Sequence, residues 1–390
     1  MPRSASEAHE QRKSNGRGVF RIFESFRQSQ PQQAALQIAH LEIGGKLLDW
    51  FESYLKGRSQ TVEVGECKSF EINVSSSIVQ GSHLGPLLFS LFINDIGTSL
   101  EEVDYCIFAD DLKIFKEIKN LDDTLTFQSN IDRLKQYAED NQMSFNVKKC
   151  VIASFTKKTS NSILANYTIH GDSLERQQAL RDLGVKYDSK LNFNLHIDDI
   201  CRKAKQMLGF TFRVGKYFKD PFTLVTIYKA HVRSHLEYAS VIWNPHTKDQ
   251  ELQLERVQHK FLQFLARRFT GHTDESNFDY ETLQQSYNLD SLKMRRAFAD
   301  AKFVVKSFNG QVDSQTFIHQ FNFHVPQRNT RASKIFQTHS SRTDVGKFSI
   351  CNRMMSSFNS HCDDIDLLNS PTSPLQIMNI VRNNFTEDRL

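Results

Sequence analysis

The chain is short of several features that would place it in familiar classes. Its six cysteines, Cys67, Cys106, Cys150, Cys201, Cys351 and Cys362, never fall at Cys-x-x-Cys spacing, so no zinc ribbon is indicated. No run of 18 apolar residues occurs, so no membrane span is expected. Met1-Pro2-Arg3 leads into polar residues rather than an apolar core, so no secretory signal is read. The default expectation is an intracellular protein, nuclear or cytoplasmic, with reduced thiols. There is no internal repeat. Aspartate is missing from the start of the chain, the first being Asp49.

What is present is ordinary in amount and uneven in placement. The 390 residues suffice for two or three domains, and the hydrophobic content of 39% suits a globular chain. Net charge is +4, but residues 201–270 hold 13 Lys/Arg against 5 Asp/Glu, a local balance of +8. A basic face there suits a polyanion, the bland alternative being a solvated helix surface.

The most informative stretch is Ile107-Phe108-Ala109-Asp110-Asp111-Leu112-Lys113-Ile114-Phe115. Apolar alternation on both sides predicts two strands joined by a tight turn over residues 103–116, with the acidic pair at its tip. Two carboxylates so close repel by roughly 4 kcal/mol at an effective dielectric of about 20. A hard divalent cation between them would reverse the sign. Taken alone, the pair also reads as simple turn formers.

The preceding segment decides between these readings. Gln80-Gly81-Ser82 and Gly85-Pro86 make a loop, and Pro86 suits the first turn of a helix. Leu87, Leu88, Leu91, Phe92 and Ile93 then form a helix apolar around most of its surface, hence a buried one. This succession closely resembles the reverse transcriptase of non-LTR (jockey- or LINE-like) retrotransposons, whose pattern is close to G-V-P-Q-G-S-x-L-G-P-L-L-F-x-L-Y-I-N-D-L followed by Y/F-A-D-D. The chain keeps Gln80, Gly81, Ser82, Leu84, Gly85, Pro86, Leu87, Leu88, Phe89, Ile93, Asn94, Asp95, Asp110 and Asp111. It departs at Ser77 and Val79, where the family has Gly and Pro.

The resemblance continues on both sides. Ile43-Gly44-Gly45 through Gln60 looks like the family segment before the Gln-Gly loop. Leu47 to Tyr54 reads as an amphipathic helix, and Thr61–Val64 and Phe70–Val74 as strands turning at Gly65-Glu66. A helix is predicted over 121–140, with Phe127, Ile131, Leu134 and Ala138 on one face. Asn146-Val147-Lys148-Lys149-Cys150 resembles the next motif, in which Lys149 would stand near the triphosphate; an exposed strand lysine is the alternative. Arg181-Asp182-Leu183-Gly184 looks like the primer-grip region. His231 to Ser240 resembles a stretch of the helical thumb, and Lys216, Lys219, Lys229 and Arg233 among aromatics suit a grip on the nucleic-acid backbone. His231 and His235 have i, i+4 spacing, but no third zinc ligand is evident.

The resemblance implies an α+β fold. A partial right-hand polymerase palm, an antiparallel sheet with helices, would be followed by a helical thumb, with fingers absent. It implies two Mg²⁺ ions, with Asp110 and Asp111 as metal ligands and catalytic groups, Lys149 beside them, and Gln80, Gly81 and Ser82 lining the nucleotide and template pocket. Arg181, Leu183, Gly184, Lys216, Lys219, Lys229 and Arg233 would hold an RNA template and DNA primer duplex. The expected organisation is a disordered or unrelated leader over 1–33, with one short helix near Phe20–Phe26. A partial palm follows over 34–192, a thumb and connection over 193–325, and a poorly ordered extension over 326–390 with a helix near Leu375–Val381. The family's first catalytic aspartate, roughly twenty residues before Gly44, has no counterpart; Glu24 is the only acid in 19–26. The expectation is therefore an N-terminally truncated polymerase, inactive alone unless another chain complements it. The alternative is a retained nucleic-acid-binding or interaction module.

Overall fold

The structure is a computed structural model. It describes residues 44–74, 81–155, 163–271, 278–325, 334–341, 344–362, 365, 367 and 372–385, together with the backbone of 16–23. The chain divides into two compact units, one over residues 13–180 and one from 181 to 390.

The first unit mixes helix and sheet. Its main sheet has five strands, β1 (Gly16–Phe23), β2 (Asp104–Phe108), β3 (Asp111–Ile118), β4 (Val151–Phe155) and β5 (Glu175–Arg176), lying in the order β5-β4-β1-β3-β2. β1 pairs antiparallel with β3, from Gly16 opposite Ile118 to Phe23 opposite Asp111, and antiparallel with β4 on its other edge. Only β5 joins its neighbour in parallel. The central strand thus comes from the stretch expected to be leader, with strand over 20–23, where a short helix was read near Phe20–Phe26; residues 24–26 lie outside the described residues. Val19, Phe20, Ile22 and Phe23 favour a pleated surface.

Helix α1 (Lys46–Leu55) buries Phe51 and Leu55 against Leu88, Phe89 and Phe92 of α2 (Gly85–Phe92). Helix α3 (Leu121–Asp140) lies where its periodicity places it. Its start is fixed by a capping box: Asn120 Oδ1 accepts from the Asp123 N–H at 2.8 Å, and Asp123 accepts from the Asn120 N–H at 3.1 Å. Its end turns at Gln142, φ 53°, with the Met143 N–H donating to Ala138 C=O at 2.7 Å. The face bearing Phe127, Ile131, Leu134 and Ala138 buries against Leu112, Ile114 and Ile118 of β3. Between α1 and α2 the turn at Gly65-Glu66 joins Glu63–Val64 to Cys67–Lys68, and the ribbon extends through Arg58–Gln60 and Ile72–Val74.

The second unit opens on a ribbon, β6 (Ala179–Asp182) and β7 (Val185–Asp188), and is otherwise helical. α4 (Asn194–Gly215), α5 (Pro221–Tyr228) and α6 (Lys248–Phe269) enclose a core that includes Leu208, Leu224, Tyr228, Trp243 and Phe261. α5 continues through a π-helical turn, Lys229–Arg233, into a short helix ending at Glu237. After α7 (Tyr280–Ser286) comes α8 (Leu292–Phe308), which packs with α9 (Ile350–His361) and α10 (Pro374–Asn384). Phe321, Phe336 and Phe358 fill that second core. Among the described residues past 325, α9 and α10 share a core with α8 rather than forming a loose extension, and the helix expected near 375–381 is α10. Arg353 anchors α9 to the buried Asp300 of α8 at 3.2 Å, and Arg382 anchors α10 to Asp290 at 2.9 Å.

Candidate active site

The acidic pair sits at the hairpin joining β2 to β3. Phe108 is the register partner of Asp111, which leaves Ala109 and Asp110 as a two-residue turn. Such turns take left-handed backbone, and Ala109 supplies it at φ 51°. Asp110 is exposed at the tip, whereas Asp111, first residue of β3, is 8% exposed. The turn lies beside α2: a small pocket of about 10 Å³ is lined by Ala109 and Asp110 of the turn together with Phe89, Ile93, Ile96, Ile107, Leu112, Met143 and Phe145.

Two contacts fix the approach to the hairpin. Asn130, buried in α3, accepts from the Glu101 N–H at 2.8 Å and donates to the Glu101 C=O at 2.9 Å. Gly97 leaves room for the Tyr105 ring, whose hydroxyl would stand 2.1 Å from a Cβ there. Asp95, inside the Asn-Asp motif, accepts from the Tyr137 hydroxyl at 2.5 Å and ties α3 to the segment after α2.

The remaining singled-out residues fall in different places. Gln80 lies outside the described residues. Gly81 has φ 79°, a conformation that excludes most side chains, and Ser82 Oγ accepts from the Gly85 N–H at 3.0 Å at the start of α2. Lys149 is exposed at the end of a 3₁₀ turn, Val147–Lys149, rather than on a strand. Leu183 and Gly184 form the two-residue turn of the β6–β7 ribbon, with φ 44° and 89°. Arg181, Lys216 and Lys219 are exposed. Lys229 and Arg233 belong to the π-helical turn, where Arg233 is ion-paired to Glu237 at 3.3 Å and burial lowers its guanidinium pKa. Glu237 also takes a forked pair from Arg295, so Arg233 serves the interior of the unit as much as its surface. Glu24 lies outside the described residues, and among the described residues no group of three His, Cys, Asp or Glu could hold a metal ion. Among them, too, no helix is long and apolar enough to cross a membrane.

Comparison with known proteins accounts for this arrangement. Residues 7–211 match the family model described as reverse transcriptase (RNA-dependent DNA polymerase), more than half of the chain, and the chain belongs to that family. The match begins at residue 7, within the stretch expected to be leader. Among similar curated proteins is the RNA-directed DNA polymerase from mobile element jockey of Drosophila melanogaster. It is 31% identical over 257 residues, covering 56% of this chain and 28% of the relative. The probable RNA-directed DNA polymerase from transposon X-element of the same organism is 26% identical over 237 residues, 56% of this chain and 24% of that one. The chain thus spans about a quarter of the length of these relatives. Among solved structures, apo telomerase from Candida tropicalis aligns over 80% of this chain and 53% of its own, with TM-score 0.36 and 8% identity. The family uses divalent metal ions.

Proposed function

We propose that the first unit is a polymerase palm and the helices from α4 onward a thumb, and that this chain binds nucleic acid without extending a primer. The observation that carries this is the pairing of Phe23 with Asp111. It sets the end of β1 beside the acidic pair, where a third carboxylate would complete a metal site. The eight residues of β1 are Gly-Arg-Gly-Val-Phe-Arg-Ile-Phe, with no acid among them.

Transfer of a nucleotide by two Mg²⁺ needs carboxylates that bracket both ions. Asp110 and Asp111 would supply two such ligands from one turn. Among the described residues no third acid joins them in a group that could hold a metal ion, and nucleotide transfer is not assigned to this chain. The substrate-binding part of the reading stands on other features. Lys216 and Lys219, with the 86% exposed ring of Tyr217 between them, present charge and a stacking face together. They lie in the segment of local charge +8, and such surfaces bind the phosphate backbone with little sequence preference.

Fluorescence anisotropy with a short RNA–DNA hybrid, measured across a salt series, tests the binding half. Affinity falling linearly on logarithmic axes is expected, and affinity indifferent to salt would contradict it. Primer extension tests the other half.

A further inference from the structure

We infer that Lys186, Arg202 and Lys203, gathered on the carboxylate of Asp199, form a site for the phosphodiester backbone of a nucleic acid. This rests on the nucleic-acid reading above and picks out Arg202 and Lys203 from the segment of local charge +8, adding Lys186 from outside it.

Asp199 lies in the first half of α4, with its side chain 10% exposed. Three cations converge on it: Lys186 Nζ at 3.2 Å, Lys203 Nζ at 3.0 Å and Arg202 Nη2 at 2.5 Å. Burial alone would push its carboxyl up, yet the hydrogen bonds from Lys203, Arg202 and Lys186 hold it well below the usual carboxylate range. It is therefore a fixed single negative charge against three positive ones. Two positive charges are left over at one spot, on side chains 35%, 59% and 36% exposed for Lys186, Arg202 and Lys203. Surface ion pairs contribute little to stability, so a third cation on one carboxylate is poorly explained as a fold stabiliser. Each cation also retains N–H donors that Asp199 does not use. An anion with several oxygens would satisfy both the spare charge and the spare donors.

The ground beneath these cations is rigid. The Tyr238 hydroxyl donates to the Leu183 C=O at 2.9 Å, and the Tyr238 C=O accepts from Trp243 Nε1 at 2.7 Å. The Trp243 ring meets His196 edge to face at 5.2 Å, and His196 Nδ1 accepts from the Lys186 N–H at 3.3 Å. Lys186 is three residues beyond Leu183, so the contacts close on themselves and fix the β6–β7 ribbon to α4. The Tyr238 ring, with its hydroxyl engaged at the turn, is still 58% exposed, which leaves aromatic surface free at the turn. A backbone seated on the three cations would thus have an aromatic neighbour suited to base stacking.

The test is a salt titration of the full chain with a short fluorescent DNA duplex. Lys186→Gln/Arg202→Gln/Lys203→Gln is compared with Lys46→Gln/Lys68→Gln/Lys334→Gln, which removes the same charge from exposed positions elsewhere. The site variant is expected to flatten the slope of log K against log salt by about 2 to 3, at roughly 0.9 per lost phosphate contact, and the control by far less. Equal changes in the two variants, or an unchanged slope in the first, would overturn the inference while leaving nucleic-acid binding intact. Loss of salt dependence in the unsubstituted chain would overturn the nucleic-acid reading itself. Arg202→Gln alone, the most exposed of the three, is expected to flatten the slope by about 1 and serves if the triple variant does not fold.

Discussion

Phe23 stands opposite Asp111 across the antiparallel pairing of β1 with β3. This one register places the end of a strand from the first two dozen residues beside an acidic pair almost ninety positions later. It makes β1 a structural part of the site whether or not it contributes chemistry.

That position gives a direct check on the strand. β1 is hydrogen-bonded along both edges, to β3 and to β4. Phe20→Pro removes a ladder hydrogen bond from the middle of the sheet, leaving a carbonyl unsatisfied, and is expected to cost about 1–3 kcal/mol. Urea unfolding measures the loss; a variant as stable as the parent would mean that 16–23 does not lie in the sheet.

The packing of α3 sets a second expectation. Phe127 is fully buried and meets Tyr167 edge to face at 5.1 Å. Phe127→Ala is expected to destabilise the unit by about 3–5 kcal/mol, from lost burial and the cavity left behind. A loss under about 1 kcal/mol in the same assay would contradict the packing described.

How much of this was legible follows from range. The hairpin and α3 are encoded locally: alternation around Asp110-Asp111, and an Asn120–Asp123 box ahead of a 3.6-residue period. β1 was not legible because its eight residues sit in polar sequence and its partners lie about ninety to 140 positions away. Arg233 read as a surface cation because charge shows in the sequence and pairing does not; Glu237, four residues on, was the available signal. The Asp199 cluster carried a similar mark, with Arg202 and Lys203 at i+3 and i+4, but Lys186 comes from another element. The C-terminal core escaped notice because its phenylalanines are spread over short helices and loops.

The β6–β7 turn yields a graded pair of variants. Tyr238→Phe removes one hydrogen bond to Leu183 C=O and is expected to cost about 0.5–1.5 kcal/mol. Gly184→Ala should cost more, since its φ is 89° and the new Cβ would meet the Tyr238 ring at 3.1 Å. Thermal denaturation ranks them; the reverse order would show that the turn is not clamped as described.

His196 predicts a pH dependence. Burial lowers its pKa to about 4 from an ordinary 6.5. Below pH 6.5 the unfolded chain therefore takes up a proton that the folded chain refuses. Stability from this residue is complete above pH 6.5 and is lost as pH falls toward 4, by up to about 3 kcal/mol. His196→Gln should flatten the stability–pH profile in that window, as read from urea midpoints. A profile identical to the parent's would assign the acid sensitivity elsewhere.

The central claim is that an acidic pair without its third carboxylate does not support polymerisation. A metal displaced by about 1 Å can lower a rate on the order of a hundredfold, and loss of a ligand displaces it further. The measurement is primer extension on an RNA template by the purified chain, with Mg²⁺ or Mn²⁺, against an Asp110→Ala/Asp111→Ala control. Incorporation indistinguishable from that control is the predicted result. Incorporation clearly above it would contradict the account and would make Glu24, one residue past the end of β1, the next carboxylate to replace.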